Sequence, residues 1–268
     1  MIIDFHTHIF PDKIAAKTIA ALADAANVKA ATDGTLSGLM QSMNENGVDV
    51  SVIQPVVTKP DQFDSINEFA HYVNTKYEGR LISFGGIHPD CEDYKGKLDR
   101  IKDMGMAGIK IHPDYQRVMI DDVRYMNIIE YADELGLVIL THAGIDIGLP
   151  DPVHCPPEKA RYVLDKLKPK KFVLAHYGAW KQWDEVYEYL AGADVYLDTA
   201  FTFDYIRKEQ FMKIFEKHGA DKILFATDSP WSGQGESIEA LRSLPISHED
   251  LEKIQSGNAL KLLRRADI

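Results

Sequence analysis

Short apolar runs rich in β-branched residues alternate along the chain with longer segments whose apolar positions recur every three or four residues. The short runs are IIDF at 2–5, VDVSVI at 48–53, LISFGGI at 81–87, AGIKI at 107–111, LVILT at 137–141, KFVLA at 171–175, DVYLD at 194–198 and KILFA at 222–226. Their length and their Val, Ile and Leu content predict strands, mostly buried on both faces. The longer segments predict helices. SINEFAHYVNTKYEG, VRYMNIIEYADELG and DYIRKEQFMKIFEKHG each close on a Gly suited to the left-handed position after a helix. The connection from 9 to 47 is the longest, with room for two helices and a lid-like loop near Phe10 and Pro11. Eight strands, each followed by a helix, predict an α/β fold closed as a (β/α)8 TIM barrel, because parallel strands need covered faces and right-handed crossovers. An open doubly wound sheet is the alternative.

Nothing in the chain marks a domain boundary: there is no internal repeat, low-complexity stretch or Pro/Gly/Ser linker, so a single domain over residues 1–268 is expected. No stretch approaches the roughly 18 unbroken apolar residues of a membrane span. The opening MIIDFHTH lacks the basic-then-apolar order of a signal peptide, which predicts a cytoplasmic protein with no membrane partner. Cys91 and Cys155 are too few for a disulfide framework and lack the spacing of a zinc-thiolate site. A net charge of −11 without a Lys and Arg cluster argues against nucleic acid as a partner and leaves a small molecule.

In a barrel of this kind, reactive side chains gather at the C-terminal ends of the strands. His6 and His8 follow the first predicted strand, His88 the third and His142 the fifth, while Lys110 and His112 end the fourth. His176, Asp198 and Asp228 end the sixth, seventh and eighth. Strict alternation would put Asp4, His6 and His8 toward the axis and Ile3 and Phe5 toward the helices. The same parity carries Leu140 to His142, Leu174 to His176, and Leu224 through Ala226 to Asp228. Imidazole nitrogen and carboxylate oxygen are donors that zinc, manganese or iron accepts where thiolates are absent. An isolated H-x-H is weak, since phosphoesterases of the polymerase-and-histidinol-phosphatase type also open with it; the constellation as a whole carries the inference.

The segments DFHTHIFP, GIKIHP, THAG, LAHYGAW, FATDSPW and SGNALKLL resemble the amidohydrolase-related family that includes aminocarboxymuconate-semialdehyde decarboxylase, in the family's order and over almost the whole chain. The resemblance implies that His6, His8, His142 and Asp228 hold one divalent ion, with His176 as the acid/base residue beside it. Zinc is the usual metal of such sites, with manganese in some members. A second ion would enlist Lys110 as a carbamate. The segment GGIHPD is also similar to TatD-type nucleases, but GIKIHP stands where they carry a glutamate-bearing strand, which argues against a nuclease. Members often pair, so a homodimer is expected.

A bound divalent ion lowers the pKa of its water to about 7. The leading expectation is therefore a metal-dependent hydrolase of an ester, lactone or amide, with Asp228 taking the proton and Asp228 or His176 returning it to the leaving group. The alternative is a metal-dependent decarboxylase or hydratase of a small carboxylic acid at the same site, and a third reading is a barrel that binds metal without turnover. Lys110 and His112, in phase on the fourth strand, are expected to meet substrate or a second ion. Asp4 is expected either to steady a ligand imidazole or Lys110, or to serve as a structural polar residue at the start of the strand. Phe10 and Trp231 are expected to wall the substrate pocket, and Arg117 to bind a substrate carboxylate.

Overall fold

In the computed structural model, which describes residues 1–263, the strand segments are β1 (Ile3–Thr7), β2 (Val50–Ile53), β3 (Leu81–Ser83), β4 (Gly85–Gly86), β5 (Gly108–Ile111), β6 (Val138–Thr141), β7 (Phe172–Leu174), β8 (Tyr196–Asp198) and β9 (Ile223–Leu224). All pair in parallel with their sequence neighbours, except that β3 and β4 are two halves of one barrel strand interrupted at Phe84. The barrel closes between β1 and the segment after β9: Phe5 N–H donates to Phe225 O at 2.9 Å, and Asp228 N–H to His6 O at 2.8 Å. This is the expected (β/α)8 barrel; seven predicted runs contain their observed strands, while β1 runs two residues past the predicted 2–5 and takes in His6.

Two apolar layers hold it together. Ile3, Phe5, Val50, Val52, Leu140 and Leu224 cluster inside the barrel. The opposite strand faces, including Ile109, Ile139 and Leu174, pack on helix residues such as Leu98 and Ile128. Helices Val123–Glu134 and Lys208–His218 are each followed by a positive-φ glycine, Gly136 at 72° and Gly219 at 83°, and at both positions a side chain would be strained.

Helix Asn258–Leu263 inserts Ala259, Leu262 and Leu263 into the inner cluster. The Asn258 amide donates to Ala220 O at 2.7 Å and Ile223 O at 2.8 Å, fixing the helix at the start of β9. One end of the barrel is thereby plugged and the other left open. Helix Asp12–Ala26, in the long first connection, behaves differently from the rest: Ala15 is its one buried residue.

Candidate metal centre

A β-bulge aims the first donors. β1 pairs with β2 as Ile3 to Val50 and Asp4 to Ser51, and then as Thr7 to Ile53, so three residues of β1 pass two of β2. Both Phe5 and His6 therefore turn inward, Phe5 against Phe84 edge-on at 5.9 Å and His6 toward the mouth; bulges commonly re-aim side chains beside active sites. This corrects the strict alternation expected for β1. Ile3 and Phe5 lie in the barrel interior. Asp4 turns toward helix Gln234–Arg242, accepting from Thr227 N at 3.0 Å, Thr227 Oγ1 at 2.6 Å and Gln234 Nε2 at 2.8 Å. Asp4 is thus a structural carboxylate joining the first and last strands, and burial raises its pKa to about 6.

Asp198 takes the duty considered for Asp4. Its Oδ2 accepts from His6 Nδ1 at 2.9 Å. Oδ1 accepts from the backbone N–H of His176 at 2.9 Å and of Ala200 at 3.0 Å. With Nδ1 donating to Asp198, the neutral His6 ring presents its Nε2 lone pair to the cavity, the second-layer arrangement typical of ligating histidines.

Parity does not orient His176 and Asp228 either. β7 ends at Leu174 and β9 at Leu224, and both site residues lie beyond in left-handed turns, with φ of 60° and 66°. That conformation is uncommon for residues with a side chain and collects at functional sites.

His6, His8 and Asp228 offer ligand atoms within 4.8 Å of one another. Asp228 Oδ1 lies 3.4 Å from His6 Nε2 and 3.0 Å from His8 Nε2. Donors at about 2.1 Å from a common tetrahedral centre are spaced about 3.4 Å apart, so the set fits a zinc-sized ion. The His6 and His8 rings are inclined at 62°, which lets two in-plane lone pairs converge. Burial, with Lys110 nearby, holds the His6 pKa well below its ordinary value and keeps the ring neutral, as a ligand must be. Burial would raise the Asp228 carboxyl, but His6 and His8 outweigh it and bring it to about 2.

The fourth expected ligand, His142, stands in a neighbouring group with His112 and Asp146. Its Nδ1 is 3.0 Å from His176 Nε2, while His176 Nδ1 donates to Ala200 O at 2.9 Å. His112 and His142 are stacked, with planes within 9° and centroids 4.3 Å apart. An ion cannot lie in the planes of both rings at once, so this second group is poorly arranged to chelate metal in the observed rotamers. His142 Nε2 and Asp114 Oδ2, 3.6 Å apart, are both buried without a hydrogen-bond partner. Asp114 also accepts from His154 Nδ1 at 3.0 Å. Asp114 and Asp146 were not singled out from the sequence: Asp114 lies in the one-turn helix Pro113–Gln116 and Asp146 in the segment after β6, both past the strand-end positions that parity reaches.

These groups share one cavity of about 770 Å³ at the barrel mouth, which Phe10 and Trp231 line together with Lys110 and His112. Arg117 does not line it. It is exposed and ends the turn Pro113–Gln116 in a left-handed conformation, φ 54°, so its expected place in the pocket is corrected. His88 also lies outside the lining, with its Nδ1 accepting from Asp90 N at 3.1 Å. Trp180 and Gln54 line the cavity and carry buried atoms without a partner, Nε1 and Oε1 respectively. Gly144 packs under Trp180 so closely that a Cβ would collide with the Trp180 backbone.

A family model described as Amidohydrolase matches residues 3–265. The chain belongs to the amidohydrolase family. No curated protein matches it. Among solved structures, an uncharacterized TIM-barrel protein from Bordetella bronchiseptica is 20% identical with a TM-score of 0.78, covering 98% of each chain. The 5-carboxyvanillate decarboxylase of Sphingomonas paucimobilis is 14% identical with a TM-score of 0.71, again over 98% of each chain. A dihydroxybenzoic acid decarboxylase from Polaromonas, with bound manganese and the inhibitor 2-nitroresorcinol, is 17% identical with a TM-score of 0.72, over 98% of this chain and 96% of that one.

At the floor of this amidohydrolase's cavity, Lys110 Nζ donates to His6 Nε2 at 3.1 Å. Lys110 is buried, and burial lowers its pKa to about 8. Among the described residues it forms no ion pair. The centre thus combines three converging donors, a buried amine and a histidine pair, all open to one cavity.

Proposed function

We propose that this amidohydrolase is a divalent-metal-dependent carboxy-lyase that removes CO2 from a carboxylic acid without oxidation. Lys110 carries the reading. Asp198, Asp228 and Asp146 favour its charge from nearby but none reaches ion-pair distance; a buried cation without a direct partner is unfavourable, and a substrate carboxylate at the donor cluster would stand beside Lys110 Nζ, which is 3.1 Å from His6 Nε2. Two of the similar structures described above are decarboxylases, and one of them holds manganese. Hydrolysis, the leading expectation from the sequence, rests on the family alone, and no feature of the cavity favours it over carboxylate chemistry.

In this reading His6, His8 and Asp228 would hold the ion, manganese or zinc, with His142, in the neighbouring group, as the fourth candidate ligand. When bound, the ion would supply a positive centre for the substrate's oxygen atoms and for the charge that develops as CO2 leaves. Lys110, 3.1 Å from His6 Nε2, orients the carboxylate. The bond between that carbon and the carboxylate breaks, its electron pair stays on the carbon, and CO2 leaves. His176, as the imidazolium with Nδ1–H held by Ala200 O, delivers its Nε2 proton to the carbon and is reprotonated from solvent through the cavity mouth. The apolar wall excludes water from the departing carboxylate.

The test is CO2 release from a panel of aromatic and aliphatic acids by metal-stripped protein reloaded with manganese or zinc. Release that requires metal, and that His176→Ala abolishes while metal content stays near one ion per chain, is the expected outcome. Metal-dependent turnover of esters or lactones with no CO2 from any acid would replace this reading with the hydrolytic one.

A further inference from the structure

The cavity continues past the donors. It runs between helix Asp12–Ala26 and helix Phe63–Lys76. Ile14, Thr18, Leu22 and Ala26, spaced four residues apart on the first helix, line one wall. Ile66, Phe69, Ala70 and Val73, spaced as one face of the second, line the other. An apolar stripe on a helix is ordinarily buried against its own protein. Here the first helix buries only Ala15, and Ile14 is 45% exposed.

The limb also offers few unsatisfied polar groups. Thr58 Oγ1 donates to Gln62 Oε1 at 3.0 Å, Ser65 Oγ to Gln62 O at 3.2 Å and Ser83 Oγ to Phe84 O at 3.1 Å, so these lining hydroxyls are satisfied within the protein. Thr18 on the first helix keeps an unpaired hydroxyl, while Gln54 donates from Nε2 to Phe5 O at 3.0 Å and holds its unpaired Oε1 buried away from the lumen. Apart from Lys13, at the outer end, the ionisable residues of the lining stand at the donor end. A volume of about 770 Å³ lies in the upper part of the roughly 300–1,000 Å³ of drug-sized ligand pockets. A carboxylate head at the donors would leave most of it unused.

We infer that the ligand is an amphiphilic acid: a carboxylate head at the donor cluster joined to an extended alkyl or arylalkyl body lying between the stripes Ile14–Leu22 and Ile66–Val73. The placement of the head rests on the carboxy-lyase reading; the body rests on the limb.

The experiment is calorimetric binding of straight-chain monocarboxylates, butanoate to decanoate, to the metal-loaded protein, alongside CO2 release. Each methylene buried in the limb raises affinity about four-fold, so affinity climbs through at least octanoate. Ile66→Trp and Thr18→Trp, half-buried positions on opposite walls, each cut the decanoate-to-butanoate affinity ratio at least ten-fold. Two variants on separate helices guard against the misfolding of either. A flat chain-length series in the wild-type protein overturns the inference, and if the mass also doubles with concentration, the stripe belongs to a second copy of the chain. Climbing affinity without CO2 from any acid sinks the carboxy-lyase reading and keeps the limb. CO2 from short acids with a flat series does the reverse.

Discussion

Lys110 is the residue at which function and stability conflict most openly. Burial brings its pKa from 10.5 to about 8. Between those values the unfolded chain holds a proton that the folded chain has released, so the stability of the metal-free protein rises as pH climbs from about 8 to about 10. Below 8 both states are protonated and the whole penalty, on the order of 3 kcal/mol, is present. Lys110→Met should therefore make the metal-free protein more stable at pH 7 by roughly that amount, with the advantage fading above pH 10. Urea unfolding at the two pH values checks this. The same variant should bind carboxylates more weakly when loaded with metal. A less stable Lys110→Met at pH 7 would mean that the ammonium is favourably held and is no vacancy for substrate.

At the scale of elements, helix Asp12–Ala26 should exchange its amide hydrogens faster than the helices that pack on the barrel, because one buried alanine offers little to oppose local opening. An acid long enough to fill the limb should slow that exchange, as hydrogen–deuterium exchange mass spectrometry would show; equal protection with and without ligand would detach the helix from binding. How much was legible beforehand follows from the same elements. Strands such as β5 and β6 were readable because buried parallel strands are written as continuous Ile, Val and Leu runs. The donors His6, His8 and Asp228 were readable as strand-end residues. Their aiming was not: period-two reasoning fails where three residues of β1 pass two of β2, and again at the left-handed turns of His176 and Asp228. Nor was the stacking of His142 on His112, which depends on side-chain rotamers and has no signature in the order of residues.

For the whole molecule, the plug formed by helix Asn258–Leu263 closes the barrel far from the chemistry. Leu262→Ala should cost about 2–5 kcal/mol, as expected for a buried leucine, while leaving metal affinity intact; urea unfolding and metal titration on one sample separate the two effects. Weakened metal binding in Leu262→Ala would show that the two ends are coupled. The first and last strands are sewn together at the open end by Asp4, Thr227 and Gln234, so the donors on β1 and after β9 keep a fixed spacing whatever the loops do. Placing the plug at one rim and the donors at the other lets a lineage rewrite its diet at the mouth while the foundation is inherited unaltered. The shape of the barrel is accordingly shared well beyond the sequence: structures only 14–20% identical to this chain match it over 98% of its length.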